Sequence, residues 1–337
     1  MKLGRFIAAA GTSALLLCPS SSNAFAEGWS FSRPFDCISR AKVELAILRK
    51  PTTITKLSAT IGTEFPPGIS VIPGESPVET QYALNPIDES CTVLVVGSNR
   101  GIGIEFVKQC LEKGATVIAT HRSEDRPDSL SAIKSDYARK IITLQMDIED
   151  EGSIVEAARD LQTMINDIRP LTHIIHNAGI YLSGASFDGK ARANRAAAPR
   201  VTKETMMRTF AINSIAPLLV AQSFVPLMGK RSEKLFPVMA FVSSKVGSVD
   251  DNGSGGAYAY RSSKSALNNI AKSMSVDLGD EARVLLLHPG WVRTDMTNGN
   301  GLIDTDESVA GMLKAVEATD VSTPFRFVDY KACLIPW

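Results

Sequence analysis

The chain has 337 residues, 44% of them hydrophobic and 7% aromatic, and Lys+Arg 36 balances Asp+Glu 36 for a net charge of +0. That composition supplies a core and excludes a disordered tail, a collagen or a disulfide scaffold. A neutral balance speaks against nucleic acid as partner, since such binders carry a basic footprint, and no apolar run of about 18 residues predicts a membrane span.

The chain opens with Lys2 and Arg5 before an apolar stretch from Phe6 to Cys18, then serines and Asn23-Ala24-Phe25-Ala26. A basic start, a short apolar centre and an A-x-A-like end predict a signal peptide over 1–26, the alternative being a buried N-terminal helix. Residues 27–63 hold three acids (Glu27, Asp36, Glu44) against six bases (Arg33, Arg40, Lys42, Arg49, Lys50, Lys56), with many Ser and Thr. That is a transit-like composition. The two parts together resemble the plastid presequence of algae with secondary plastids, which implies plastid import; the alternative is secretion. Pro66, Pro67, Pro73, Pro77 and Pro86 mark a Pro-rich linker over 64–90.

From Cys91 the pattern alternates. Thr92 to Val96 reads as a fully apolar strand of the buried parallel kind. A helix follows with Ile104, Val107, Cys110 and Leu111 on one face. Further strands are predicted at Ala115–Thr120, Lys140–Met146, Leu171–Ile175, Pro237–Val242 and Arg283–Leu287. Helical patterns run over Ser153–Ile168, Lys203–Leu227 and Tyr260–Leu278. Strand and helix in turn predict an α/β fold: a Rossmann-type doubly wound parallel sheet, three layers α/β/α, as a single domain over 91–337. The five cysteines (Cys18, Cys37, Cys91, Cys110, Cys333) form no C-x-x-C pair, and none has a histidine at ligand spacing, so no metal is expected.

Gly97-Ser98-Asn99-Arg100-Gly101-Ile102-Gly103 sits between the first strand and its helix. Glycines there let the chain turn sharply, let the backbone approach a pyrophosphate, and let helix pack on strand; the helix N-terminus offers free N–H groups to the anion. NAD binders place an acid at the end of the second strand to hold the ribose 2′-OH. Here His121-Arg122 stands there, with Glu124 and Asp125 only later, and Arg100 lies in the glycine loop. A guanidinium suits a 2′-phosphate, so NADP(H) is expected over NAD; the alternative makes Arg122 a solvated surface charge. Asp147 after the third strand and Asn177-Ala178-Gly179 after the fourth lie where ligands of such sheets bind, with ordinary turn residues as the alternative.

Tyr260 and Lys264 form Y-x-x-x-K and share one helix face. Of the six tyrosines only Tyr260 has a lysine four residues on. An ammonium about 4 Å from a phenol is worth roughly 4 kcal/mol at an effective dielectric of about 20, or about three pKa units. That predicts a Tyr260 phenol lowered toward neutrality, where acid–base catalysis works best. Ser244 closes the fifth strand, where a hydroxyl can donate to a carbonyl oxygen as charge develops. Asn213 lies in a helical stretch, its alternative being an exposed or capping residue. Pro289-Gly290-Trp291-Val292-Arg293-Thr294 follows the sixth strand.

Gly97-x-x-x-Gly101-x-Gly103, Asn177-Ala178-Gly179, Asn213, Ser244, Tyr260, Lys264 and Pro289-Gly290 occur in the order of the short-chain dehydrogenase/reductase family, which residues 91–337 resemble. The stretch Ser243 to Lys264 and the ending Ile335-Pro336-Trp337 are similar to the subgroup of the C-factor and sniffer-type carbonyl reductases. The resemblance implies an NADP(H)-dependent enzyme interconverting a small-molecule carbonyl and an alcohol. Tyr260 would be the acid, or the base in reverse. Lys264 would lower its pKa and hold the nicotinamide ribose. Ser244 would orient the carbonyl, Asn213 would support a water-linked proton relay, and Thr294 with the Pro-Gly turn would hold the carboxamide. Relatives often pair through the helices carrying Asn213 and Tyr260, so a homodimer is the corresponding expectation. The other reading is an NADP(H)-binding signalling or regulatory protein that keeps the fold. Val96 and His176 depart from the family pattern, and the loop Gly184 to Arg200 is long and basic, read as an inert surface insertion rather than a substrate entrance.

Overall fold

The computed structural model describes residues 84–165, 169–182, 185–192, 196–231 and 236–337. The signal peptide, the transit-like segment and most of the linker lie outside the described residues.

The body is a seven-stranded parallel sheet in the order β3-β2-β1-β4-β5-β6-β7. The strands are β1 Thr92–Val96, β2 Thr116–His121, β3 Ile141–Gln145, β4 His173–His176, β5 Val238–Val242, β6 Arg283–His288 and β7 Phe327–Asp329. Six match the predicted strands. The seventh was missed because three residues, Phe327 to Asp329, carry too little pattern to read. The helices are α1 Gly101–Glu112, α2 Asp128–Asp136, α3 Glu151–Met164, α4 Lys203–Phe210, α5 Ala216–Phe224, α6 Tyr258–Asp277 and α7 Thr305–Glu317. Helices α2 and α7 were not predicted.

Successive residues of β1 point to opposite faces, and the core divides accordingly. Val93 and Val95 pack with Phe106, Val107, Leu130, Met312 and Val316 on the face covered by α1, α2 and α7. Leu94 and Val96 pack with Ile154, Leu161, Val220, Phe224, Leu267 and Ala271 on the face covered by α3, α5 and α6. A strand buried on both faces has no polar alternation, which is why β1 and β5 read as continuous apolar runs.

The body begins before Cys91. Ile87 is only 3% exposed. Asn85 donates from its amide to the Phe236 carbonyl at 2.9 Å, and the Ile87 N–H donates to Glu317 Oε1 at 3.1 Å. Lys113 Nζ donates to the same oxygen at 2.9 Å. Glu317→Ala is expected to strand these donors and lower stability by about 1–3 kcal/mol. A urea midpoint equal to wild type would show that residues 85–87 do not contribute to the fold.

Among the described residues one helical stretch, Lys203–Leu227, is long and apolar enough by length and composition to cross a membrane. Half of its most apolar window is buried inside the fold, where it packs on α3 and α6. It is interrupted by a π-helical turn over Ala211–Ile215.

Candidate active site

The chain leaves β1 toward β2 and β3 on one side and returns to β4 on the other. The two connections diverge at the carboxyl ends of β1 and β4 and leave a crevice there. A cleft of about 520 Å³ occupies that place. It is lined by Gly97, Asn99, Arg100, Gly101, Ile102, Arg122, Asp147, Asn177, Ala178, Gly179 and Thr294, all predicted from sequence. His121 lines it beside Arg122, and Ile180 and Met296 line it at the starts of the two segments expected to face substrate; Thr120, Ser123, Met146, Ile148, Glu149, Ile212 and Asp295 also line it and were not predicted. Their side chains carry no motif; only the sheet brings them together.

The glycine loop is built on close backbone approach. The Gly97 N–H donates to Thr120 Oγ1 at 3.0 Å, and Ser98 Oγ donates to the Thr120 carbonyl at 2.7 Å, which ties the loop to the end of β2. Gly97 has φ +77, and a Cβ on it would come 2.7 Å from Ala178 Cβ. A Cβ on Gly103 would stand 1.9 Å from the Gly97 carbonyl oxygen. Gly103 is therefore buried under the loop rather than facing the cleft. The Asn177 amide donates to that same Gly97 oxygen at 3.0 Å. The first turn of α1 has no acidic residue and no side-chain cap, so its leading N–H groups are free for an anion.

Charge at the cleft is local. Arg100 Nη1 pairs with Asp295 Oδ2 at 3.0 Å, both side chains exposed. Arg122 is exposed at the end of β2, and its charge contributes to holding the Glu149 carboxyl below the usual range, behind the hydrogen bond from Arg208. Asp147 Oδ1 accepts from the Glu149 N–H at 3.0 Å.

The predicted catalytic residues meet next to the cleft rather than in its lining, and Gly179 marks the junction. A Cβ there would be 3.3 Å from Asn213 Oδ1 and 3.5 Å from Lys264 Nζ. Asn213 is fully buried on the π-helical turn, a device that re-aims a side chain at functional sites. Its Oδ1 accepts from the Ile180 N–H at 2.8 Å, and its amide donates to the Ile180 carbonyl at 2.9 Å and to Ser263 Oγ at 3.1 Å. Asn213 is thus neither exposed nor a cap; it clamps the chain just after β4. That clamp sets Tyr181, whose ring meets the Tyr260 ring edge-on at 5.2 Å. Ser244 is buried at the end of β5, and its hydroxyl interacts with the Tyr260 phenol.

The expected lowering of the Tyr260 phenol is not found. Burial pushes it up to about 12, with the Ser244 hydroxyl offsetting part of the rise. Lys264 Nζ stands 5.8 Å from the centre of the Tyr260 ring and donates to the Val242 carbonyl at 2.9 Å. The ammonium is itself buried, and desolvation brings it down to about 8. Desolvation acts on both partners, and Lys264 is not among the groups that shift the phenol. His176 lies beside this pair, its Nε2 without a partner, and burial drives it down to about 3, so it is neutral near pH 7.

Of the turn after β6, Thr294 is the part that lines the cleft. Pro289, Gly290 and Val292 do not line the cleft. The Pro289 carbonyl accepts from Ser308 Oγ at 2.6 Å, Gly290 lies against the Tyr330 ring, and Val292 is buried and bridged to Ile303. They hold the turn that presents Thr294. The described part of the 184–200 loop reaches the start of α6: the Ala257 N–H donates to the Ala185 carbonyl at 2.9 Å, and the Phe187 ring lies 6.2 Å from that of Tyr258. Among the described residues no group of three metal-ligating side chains occurs.

A crevice at the carboxyl edge of a doubly wound sheet, with a glycine loop on one side and Tyr260, Lys264, Ser244 and Asn213 on the other, defines a nucleotide-dependent oxidoreductase fold. The short chain dehydrogenase family model matches residues 91–302, and the chain belongs to that family. Among its relatives, "C-signal" of Myxococcus xanthus is 45% identical over 133 residues, covering 39% of this chain and 78% of that protein. The NADPH-bound carbonyl reductase from chicken fatty liver is similar in structure, with a TM-score of 0.63 and 29% identity over 73% of this chain and 94% of that one. The carbonyl reductase Sniffer of D. melanogaster superposes with a TM-score of 0.64 at 26% identity, covering 74% of this chain and 99% of its own.

Proposed function

We propose that this chain is an NADP(H)-dependent oxidoreductase that interconverts a carbonyl and an alcohol, with Tyr260, Ser244, Lys264 and Asn213 as its working set. The observation that carries the reading is the junction at Gly179, where the cleft meets Asn213 and Lys264. The residues present fit the dinucleotide. The uncapped start of α1 and the bare backbone at Gly97 to Gly103 suit the pyrophosphate, Asp147 suits the adenine, and Arg100 and Arg122 suit a 2′-phosphate.

When bound, the reduced nicotinamide supplies a hydride to the carbonyl carbon. Tyr260 would give its phenolic proton to the carbonyl oxygen; burial raises the phenol, so that proton is present near neutral pH. Ser244 donates to the same oxygen as negative charge develops. Lys264, held on the Val242 carbonyl, keeps a cation next to the tyrosine and would hold the nicotinamide ribose. Asn213 acts as a positioning residue through its clamp on Ile180. A homodimer through the helices carrying Asn213 and Tyr260 belongs to the same reading, supported by the exposed Met207, Ile215 and Val276.

The test is a panel of aldehydes and ketones assayed with NADPH and NADH side by side. Arg122→Ala is expected to weaken NADPH about 10- to 100-fold, the worth of one charge-assisted contact of about 1.5–3 kcal/mol, and to leave NADH nearly unchanged. Equal losses for both cofactors would remove Arg122 from the 2′-phosphate. The signalling alternative is favoured by the match to "C-signal". It parts from the enzyme reading on turnover, since both require the cofactor to bind.

A further inference from the structure

We propose that Trp337 is a positioning residue for the segment that joins Ser244 to Tyr260; the inference rests on the carbonyl-reduction reading of the site. The tail folds back along the edge of the sheet. Leu334 bridges antiparallel to Val328, and the Ile335 N–H donates to the Phe327 carbonyl at 2.8 Å. The Trp337 indole then stacks on Phe325 at 5.4 Å with an interplanar angle of 4°, and on Phe327 at 6.1 Å. Stacking of this kind holds a large ring in one orientation. It also fixes the backbone carbonyl that follows.

That carbonyl is used. It accepts from the Asp250 N–H at 2.9 Å and from Ser248 Oγ at 3.1 Å. Ser248 is buried, and its oxygen accepts in turn from the Asp251 N–H at 3.1 Å. The opposite side of the same segment is held by α6. The Val246 carbonyl accepts from Arg261 Nη1 at 3.0 Å, and the Gly247 carbonyl accepts from Ser265 Oγ at 2.6 Å. Gly247 lies so close to Lys264 that a Cβ on it would stand 2.7 Å from Lys264 Cβ. The segment from Ser244 to Ser248 is therefore clasped between the lysine turn of α6 and the Trp337 carbonyl.

Further along, Gly255, Gly256 and Ala257 take φ 61, 69 and 45 in succession, immediately before the helix that carries Tyr260. Left-handed backbone at an alanine is unfavourable and persists only where surrounding contacts over-determine it. Ala257 itself is held by its N–H donating to the Ala185 carbonyl at 2.9 Å, and the bonds to Trp337 fix the chain upstream, at Ser248 and Asp250. Without the stacked indole the carbonyl loses its fixed place, and the segment relaxes toward less strained backbone. Ser244 and Tyr260 sit at its two ends, so a small shift moves both hydroxyls relative to a carbonyl substrate. A misplacement of about 1 Å in such a site costs about 10²-fold in rate.

The experiment uses the full chain as wild type, Trp337→Ala, Trp337→Phe and Ser248→Ala. It measures kcat per NADPH-binding site, the KM for NADPH, and amide hydrogen exchange across residues 245–256. Trp337→Ala is expected to lower kcat about 10- to 100-fold while the KM for NADPH holds, with faster exchange confined to 245–256. Trp337→Phe keeps a stacking ring and is expected to recover most of the rate, and Ser248→Ala to fall between. Unchanged kcat with unchanged exchange overturns the proposal. So does a fall in total rate matched by an equal loss of NADPH-binding sites, which leaves kcat per site unchanged and is the mark of a general folding defect. A wild-type chain that reduces no carbonyl overturns the functional reading instead. The exchange arm then still decides the clasp, because absence of faster exchange in Trp337→Ala removes it.

Discussion

Tyr260→Phe is expected to lower carbonyl reduction by about 10²–10⁴-fold, the span attributed to a positioned acid, while NADPH still binds. The substitution removes one oxygen and keeps the ring. The edge-on contact with Tyr181 at 5.2 Å and the neighbouring Lys264 both survive it, so the local packing has no reason to change. What disappears is the phenolic proton beside the Ser244 hydroxyl. Ser244 cannot replace it, because its own pKa lies far above that of a phenol and it serves as a hydrogen-bond donor only. The measurement is NADPH oxidation against the best aldehyde or ketone of the panel, with cofactor binding followed separately by nucleotide fluorescence. Wild-type-like turnover would falsify the assignment of Tyr260. Intact binding in a wild-type protein that turns over nothing points to the regulatory alternative.

Gly103→Ala is the second large effect, and it acts on binding. The added Cβ would lie 1.9 Å from the Gly97 carbonyl oxygen, 2.7 Å from the Asn177 amide nitrogen and 2.9 Å from the Gly97 carbonyl carbon. Two of these neighbours are backbone and cannot swing aside. The loop has to lift off α1, which breaks the Asn177 hydrogen bond to Gly97 and moves the N–H groups that face the pyrophosphate. Overpacking of this kind costs about 1–3 kcal/mol or more. NADPH affinity is expected to fall at least about tenfold, since 1.4 kcal/mol corresponds to tenfold. Titration of NADPH into the variant checks this, with the urea midpoint as a control for folding. An affinity equal to wild type would mean that the loop adapts without moving its donors.

β1, β2, β5 and β6 were legible as short, largely apolar runs, the pattern of a strand buried on both faces; β3, with Thr143 and Gln145, and β4, with a histidine at each end, were legible from the alternation of strand and helix in which they fall. Helix α7 escaped notice although Val309, Met312, Leu313 and Val316 recur at helical spacing along it. The glycine loop and the Asn177-Ala178-Gly179 turn were legible because their chemistry is local: backbone that must bend or be approached closely needs residues with little or no side chain. Tyr260 and Lys264 were legible because four residues on a helix is a fixed geometric relation.

The residues of the body therefore determined the sheet, the place of the cleft and which side chains are the proposed reactive ones, since these depend on relations within a few residues. Tertiary structure alone decided what those side chains experience. It set a half-buried Tyr260 beside a buried Lys264, so that desolvation rather than their mutual attraction sets the phenol. It also turned Asn213 from a residue in a helical pattern into a clamp on Ile180 across 33 positions of sequence. And it brought Trp337 to Ser248 across 89 positions. Desolvation and long-range hydrogen bonds depend on what packs around a group, and no short spacing in a chain encodes that.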